Sequence, residues 1–77
     1  MTNTQRATII KLVKATGIRY GHLYEGVKAI KFWRVDEREI PEILIQVLSG
    51  VPGVASVEIR KSTACPYSPV SLYIVKA

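Results

Sequence analysis

Apolar positions follow two different rhythms along this chain. Ile40, Ile43, Leu44, Val47 and Leu48 recur at helical spacing and predict a helix over about 38–49. Pro41 suits a first helical position, where its missing N–H costs nothing. Ser49-Gly50 supplies a stop, and Pro52-Gly53 prevents continuation. The rhythm then changes to a period of two. Over Val54 to Lys61, Ala55, Val57 and Ile59 alternate with Ser56, Glu58 and Arg60. Over Val70 to Val75, Val70, Leu72 and Ile74 alternate with Ser71, Tyr73 and Val75. These two segments predict an antiparallel hairpin, joined by the turn-rich loop 62–69.

The first half is less regular. Val27 to Val35 is rich in strand formers, yet its alternation is poor. Ile30 and Phe32 fall on one side with Lys28 and Arg34. Val27, Ala29, Trp33 and Val35 fall on the other with Lys31. Glu25-Gly26 can turn a short strand, Arg19 to Tyr24, into it. Thr4 to Thr16 has a helical stripe of Ile9, Leu12, Val13 and Thr16, with Asn3 or Thr4 as cap and Gly17 as stop. Ala7 to Ile10 can alternatively start a strand. The pattern predicts an α+β domain: a small antiparallel sheet of three to four strands, the main helix packed on one face, and a second helix favoured at the N-terminus.

The strand–helix–strand–strand order, with Gly53-Val54-Ala55-Ser56-Val57 just past a helix, resembles part of the ferredoxin-like layout over roughly residues 27–75. That resemblance implies a sheet with helix on one face. It implies no function.

Length bounds the rest. With 77 residues the chain is expected to form a single domain, and a large multi-domain enzyme or a long repeat array is excluded. A domain of this size buries only about 60% of its unfolded surface, so its core needs tight packing or a partner chain. The apolar content, 48%, is consistent with a homodimer. Cys65 is the single cysteine, so no intrachain disulfide and no multi-thiolate zinc site can form. No metal or cofactor is expected. Arg6, Lys11 and Lys14 interrupt the first apolar stretch, and no segment is long and apolar enough to span a membrane. A cytoplasmic location without membrane partners is the expectation.

Charge is distributed unevenly. Arg6, Lys11, Lys14, Arg19, Lys28, Lys31 and Arg34 face Glu25 alone in residues 1–35, a net of +6. Asp36, Glu37, Glu39 and Glu42 against Arg38 leave residues 36–49 at −3. The acids gather where a helix dipole favours them, so capping accounts for them. The basic half interleaves cations with rings: Arg19, Tyr20, His22, Tyr24, Lys28, Lys31, Phe32, Trp33 and Arg34. Single-stranded nucleic acid and nucleotides are bound with that mixture, cations meeting phosphates and rings meeting bases. The run Lys28 to Val35 is similar in kind to an RNA-binding strand, although it lacks the glycine and aromatic positions of the RRM pattern. Phe32 and Trp33 point to opposite sides of a strand, so at least one of them belongs to the core.

The sequence therefore predicts a small, basic, non-enzymatic binding module for an anionic partner, single-stranded nucleic acid or nucleotide. Its candidate ligand-binding residues are Arg19, Tyr20, His22, Lys28, Lys31, Trp33 and Arg34. The alternative is a protein-interaction module: a small homo-oligomer, or an inhibitor docking on a larger protein, as phage and mobile-element accessory proteins do. Catalysis is a third and weaker reading. Cys65-Pro66-Tyr67 is also found in glutaredoxin-like active sites, but the second cysteine and the thioredoxin-like context are missing. With His22, these residues make the most plausible reactive set in the chain, and no catalytic residue is assigned.

Overall fold

The computed structural model describes residues 1–61 and 70–77. The elements are α1 (Asn3–Ala15), β1 (His22–Glu25), β2 (Ala29–Val35), a 3-10 turn (Glu37–Glu39), α2 (Glu42–Ser49), β3 (Val54–Lys61) and β4 (Val70–Lys76). The loop 62–69, with Cys65 and Tyr67, lies outside the described residues.

The four strands form one open antiparallel sheet in the order β1-β2-β4-β3. β2 and β3 each run antiparallel to β4. They are therefore parallel to each other, with β4 between them and α2 in the connection. The chain order is α-β-β-α-β-β, against the β-α-β-β-α-β of the ferredoxin-like arrangement, and that layout is not confirmed.

One face of the sheet carries the core. Ile30 and Phe32 from β2 and Leu72 and Ile74 from β4 are fully buried. They form one cluster with Ile9 and Val13 of α1 and Leu44 and Leu48 of α2. Burying each such side chain stabilises the fold by about 1.5–3 kcal/mol, which is why these stripes decide where the helices sit. Val57 and Leu23 pack on the edges of the same cluster.

The first segment is helical, over Asn3–Ala15. The cap is Thr2 rather than Asn3 or Thr4. Its Oγ1 accepts from the Gln5 N–H at 3.1 Å, and its own N–H donates to Gln5 Oε1 at 2.9 Å. This reciprocal pair satisfies two of the helix's orphan donors. Gly17 follows the helix at φ +77°, a conformation suited to glycine.

The main helix is shorter than its apolar stripe suggests. It begins at Glu42, with Pro41 as the cap residue outside it. Ile40 is extended, at φ −84° and ψ 110°. A residue before proline is driven out of helical conformation by the proline ring, so the stripe's first turn becomes a separate 3-10 turn. The acids there form ion pairs besides capping. Asp36 accepts from the Arg38 backbone and side chain, Glu37 meets Lys61, and Glu39 meets Arg19.

Two bulges explain the irregular alternation. Phe32 pairs with Leu72 and Val35 with Val70, so three steps on β2 match two on β4. Arg34 takes up the extra residue at φ +60°. Val35 thereby returns to the core, 4% exposed, instead of sharing a side with Trp33. A second bulge between Val54 and Ser56 puts Val54 on the core side and leaves Ala55 exposed.

Candidate nucleic-acid interface

Both helices contribute to one core on one face of the sheet. The opposite face is made of the alternate residues of each strand. Register brings Tyr24, Lys31, Tyr73 and Glu58 into one row across β1, β2, β4 and β3. His22 and Trp33 pair in the neighbouring row, and Arg60 pairs with Ser71.

The side chains on this face alternate rings with cations. His22 stacks on Trp33 with centroids 5.6 Å apart and planes 20° from parallel. His22 also approaches Tyr24 at 5.9 Å. Lys31 Nζ stands 5.0 Å from the Tyr24 ring and 5.6 Å from the Tyr73 ring. Arg60 lies over Tyr73 at 4.1 Å, and Arg34 over Trp33 at 4.6 Å. All three cations lie within the range where a ring's negative face attracts them. Arg60 is anchored from the side by Glu58, with Nη2 2.6 Å from its carboxylate. That hydrogen bond holds the Arg60 guanidinium protonated even beyond its ordinary range.

Local backbone chemistry sets up the Trp33–Arg34 corner. The bulge lets two consecutive residues project from the same region of the face. Gly21 makes room for them: its N–H donates to the Trp33 carbonyl at 2.8 Å. A Cβ there would lie 3.3 Å from both Cβ and Cδ of Arg34.

Of the residues singled out from sequence, His22, Lys31, Trp33 and Arg34 come together here. Three stand elsewhere. Arg19 is exposed and pairs with Glu39 at 3.1 Å. Tyr20 packs edge-on against the buried Phe32, centroids 5.0 Å apart, so it belongs to the core side. Lys28 sits exposed in the β1–β2 turn, where its carbonyl accepts from the Lys76 N–H. Phe32 is the core member of its pair, with 0% exposure, and Trp33 is the partly exposed one. Tyr73 and Arg60 were not among the residues singled out, and Tyr24 only as part of the aromatic mixture. Tyr73 was legible in one respect, since alternation places it opposite Leu72 and Ile74.

No helix among the described residues is long and apolar enough to cross a membrane. Among the same residues, no group of three or more His, Cys, Asp or Glu side chains is gathered as a metal would need. In comparison with known proteins, no family model, curated protein or solved structure matches this chain.

Proposed function

We propose that the protein is a non-enzymatic binding module for single-stranded nucleic acid, and that the sheet face opposite the helices is the binding surface. One observation carries this reading. Four rings, His22, Trp33, Tyr24 and Tyr73, come from three different strands to one face with Lys31, Arg34 and Arg60 against them. A sheet face that only met water would have no use for four aromatic rings. Bases stack on such rings regardless of sequence, and the interleaved cations are placed for phosphates. A single nucleotide offers the same chemistry over a smaller area.

The test is a titration of the intrinsic fluorescence of Trp33, the only tryptophan, with mixed-sequence single-stranded oligonucleotide at about 50 and 200 mM salt. Saturable quenching that weakens with salt is expected. The triple variant K31A/R34A/R60A should bind more weakly and with a shallower salt dependence, whereas R19A/K28A should change little. Unchanged affinity and slope in the triple variant would remove this face from consideration.

A second reading has one observation in its favour. β3 is an eight-residue edge strand, mostly exposed, and Ile59 on it is 39% exposed. An unpaired edge is a template for another chain, so a protein-interaction role, including self-association, predicts a sedimentation value above that of an 8.6 kDa monomer.

A further inference from the structure

Tyr24, Lys31 and Tyr73 are register partners in one row across three adjacent strands. Neighbouring strands lie about 4.8 Å apart. The backbones that carry the two tyrosines are therefore separated by about 9.6 Å, two such spacings. Stacked nucleotides advance by only about 3.4 Å. Two bases that remain stacked on each other cannot each lie on one of these rings. The strand must be splayed, with its backbone passing between the two bases. Lys31 Nζ stands in that gap, 5.0 Å from one ring centroid and 5.6 Å from the other. At the end of the row the Glu58 carboxylate is held by Arg60, whose guanidinium lies 4.1 Å over the Tyr73 ring.

We infer that the preferred ligand is a splayed, pyrimidine-rich single strand, with bases on Tyr24 and Tyr73 and the intervening phosphate at Lys31. This rests on the single-stranded nucleic-acid reading above. Pyrimidine runs stack weakly on themselves and have flexible backbones, so they lose least on being opened out. Adenine runs and duplexes must first be unstacked.

The experiment compares hexathymidylate, hexaadenylate and a base-paired hairpin as ligands for the intact chain, by Trp33 fluorescence at about 50 mM salt. Hexathymidylate should bind at least about 5-fold more tightly than hexaadenylate, with the hairpin weakest. Tyr24→Leu and Tyr73→Leu should each weaken hexathymidylate binding by about 5- to 150-fold. Tyr24 is half-exposed, so its variant remains informative even if Tyr73→Leu fails to fold. Lys31→Gln should lower the logarithmic salt slope by about 0.7, the value of one phosphate on a single strand. Saturable binding with equal or reversed preference would overturn this inference and leave the broader reading standing. No saturable binding of any oligonucleotide by folded protein would overturn both.

Discussion

Gly21 lies close beneath Arg34: a Cβ on Gly21 would be 3.3 Å from Cβ and Cδ of the arginine, which would have to give by a few tenths of an ångström. Arg34 itself is held at φ +60°, where a non-glycine residue pays roughly 1–2 kcal/mol. Strained backbone of this kind clusters at functional sites, and here it also returns Val35 to the core. Arg34→Gly should therefore leave stability unchanged or raise it by up to about 1 kcal/mol, after the glycine's own entropy is subtracted. The same variant should lose oligonucleotide affinity. Urea unfolding followed by circular dichroism, alongside a binding titration, checks both. A variant that binds as well as the parent would show that the strained arginine serves no ligand.

Phe32 and Trp33 give the sharpest division between folding and binding. Phe32→Ala empties a fully buried site and should cost about 3–5 kcal/mol. That is a large share of the whole stability of a small domain. Trp33→Leu, on the face opposite the helices, should shift the unfolding free energy by about 1 kcal/mol or less and still abolish most binding. Anisotropy of a labelled oligonucleotide replaces the lost tryptophan signal. If the two variants exchanged phenotypes, the assignment of faces would be wrong.

Gly53 couples the chain turn after α2 to the cap of α1. It sits at φ +91°, and a Cβ there would lie 2.6 Å from Gln5 Oε1, the atom that accepts from the Thr2 N–H. Gly53→Ala should cost about 1–3 kcal/mol, part from the backbone conformation and part from the displaced cap. Removing the glutamine side chain relieves the second part only. G53A/Q5A should thus be destabilised by less than the sum of the single variants, in a double-mutant cycle read by thermal unfolding. Strict additivity would mean that the contact is not formed in solution.

Acid should weaken the fold through two carboxylates. The hydrogen bond from Arg6 holds Glu25 below the usual carboxylate range, and hydrogen bonds from the Arg38 side chain and backbone do the same for Asp36. Their folded pKa values lie below the unfolded ones, so the folded state binds fewer protons. The contribution is fully present above the ordinary carboxylate value, about 4, and is lost as pH falls through the lower folded values. Urea midpoints measured between about pH 6 and pH 2 should drop across that window. Glu25→Gln should flatten the drop. A flat profile in the parent protein would mean that neither pair persists in solution.

Much of the architecture was legible in the local pattern. β3 begins and ends where the alternation does, and Leu44 and Leu48 face the core as their spacing requires. What escaped depends on information that no local window carries. Pro41 broke the stripe that Ile40 seemed to extend, because its ring constrains the preceding backbone. Arg34 carries no composition signal for a left-handed bulge, yet that one residue sends Val35 back into the core. The interface suffered most. Tyr24, Lys31 and Tyr73 are joined only by strand register, across a span of nearly fifty residues. Basic composition in the first half pointed to Lys31 and Arg34. It gave no reason to look for Tyr73 and Arg60 at the other end of the chain.

The rings on the sheet face opposite the helices already have cations against them. Lys31 stands between two tyrosines, Arg60 covers one of them, and Arg34 covers Trp33. On the proposed reading an arriving base would meet an internal competitor, and binding there would be an exchange of partners rather than an addition. A free nucleobase or nucleoside would have to displace a cation and offers it no anionic partner in return. A nucleotide brings the phosphate to which the evicted cation can turn. The protein's own side chains would then discriminate against uncharged aromatic metabolites.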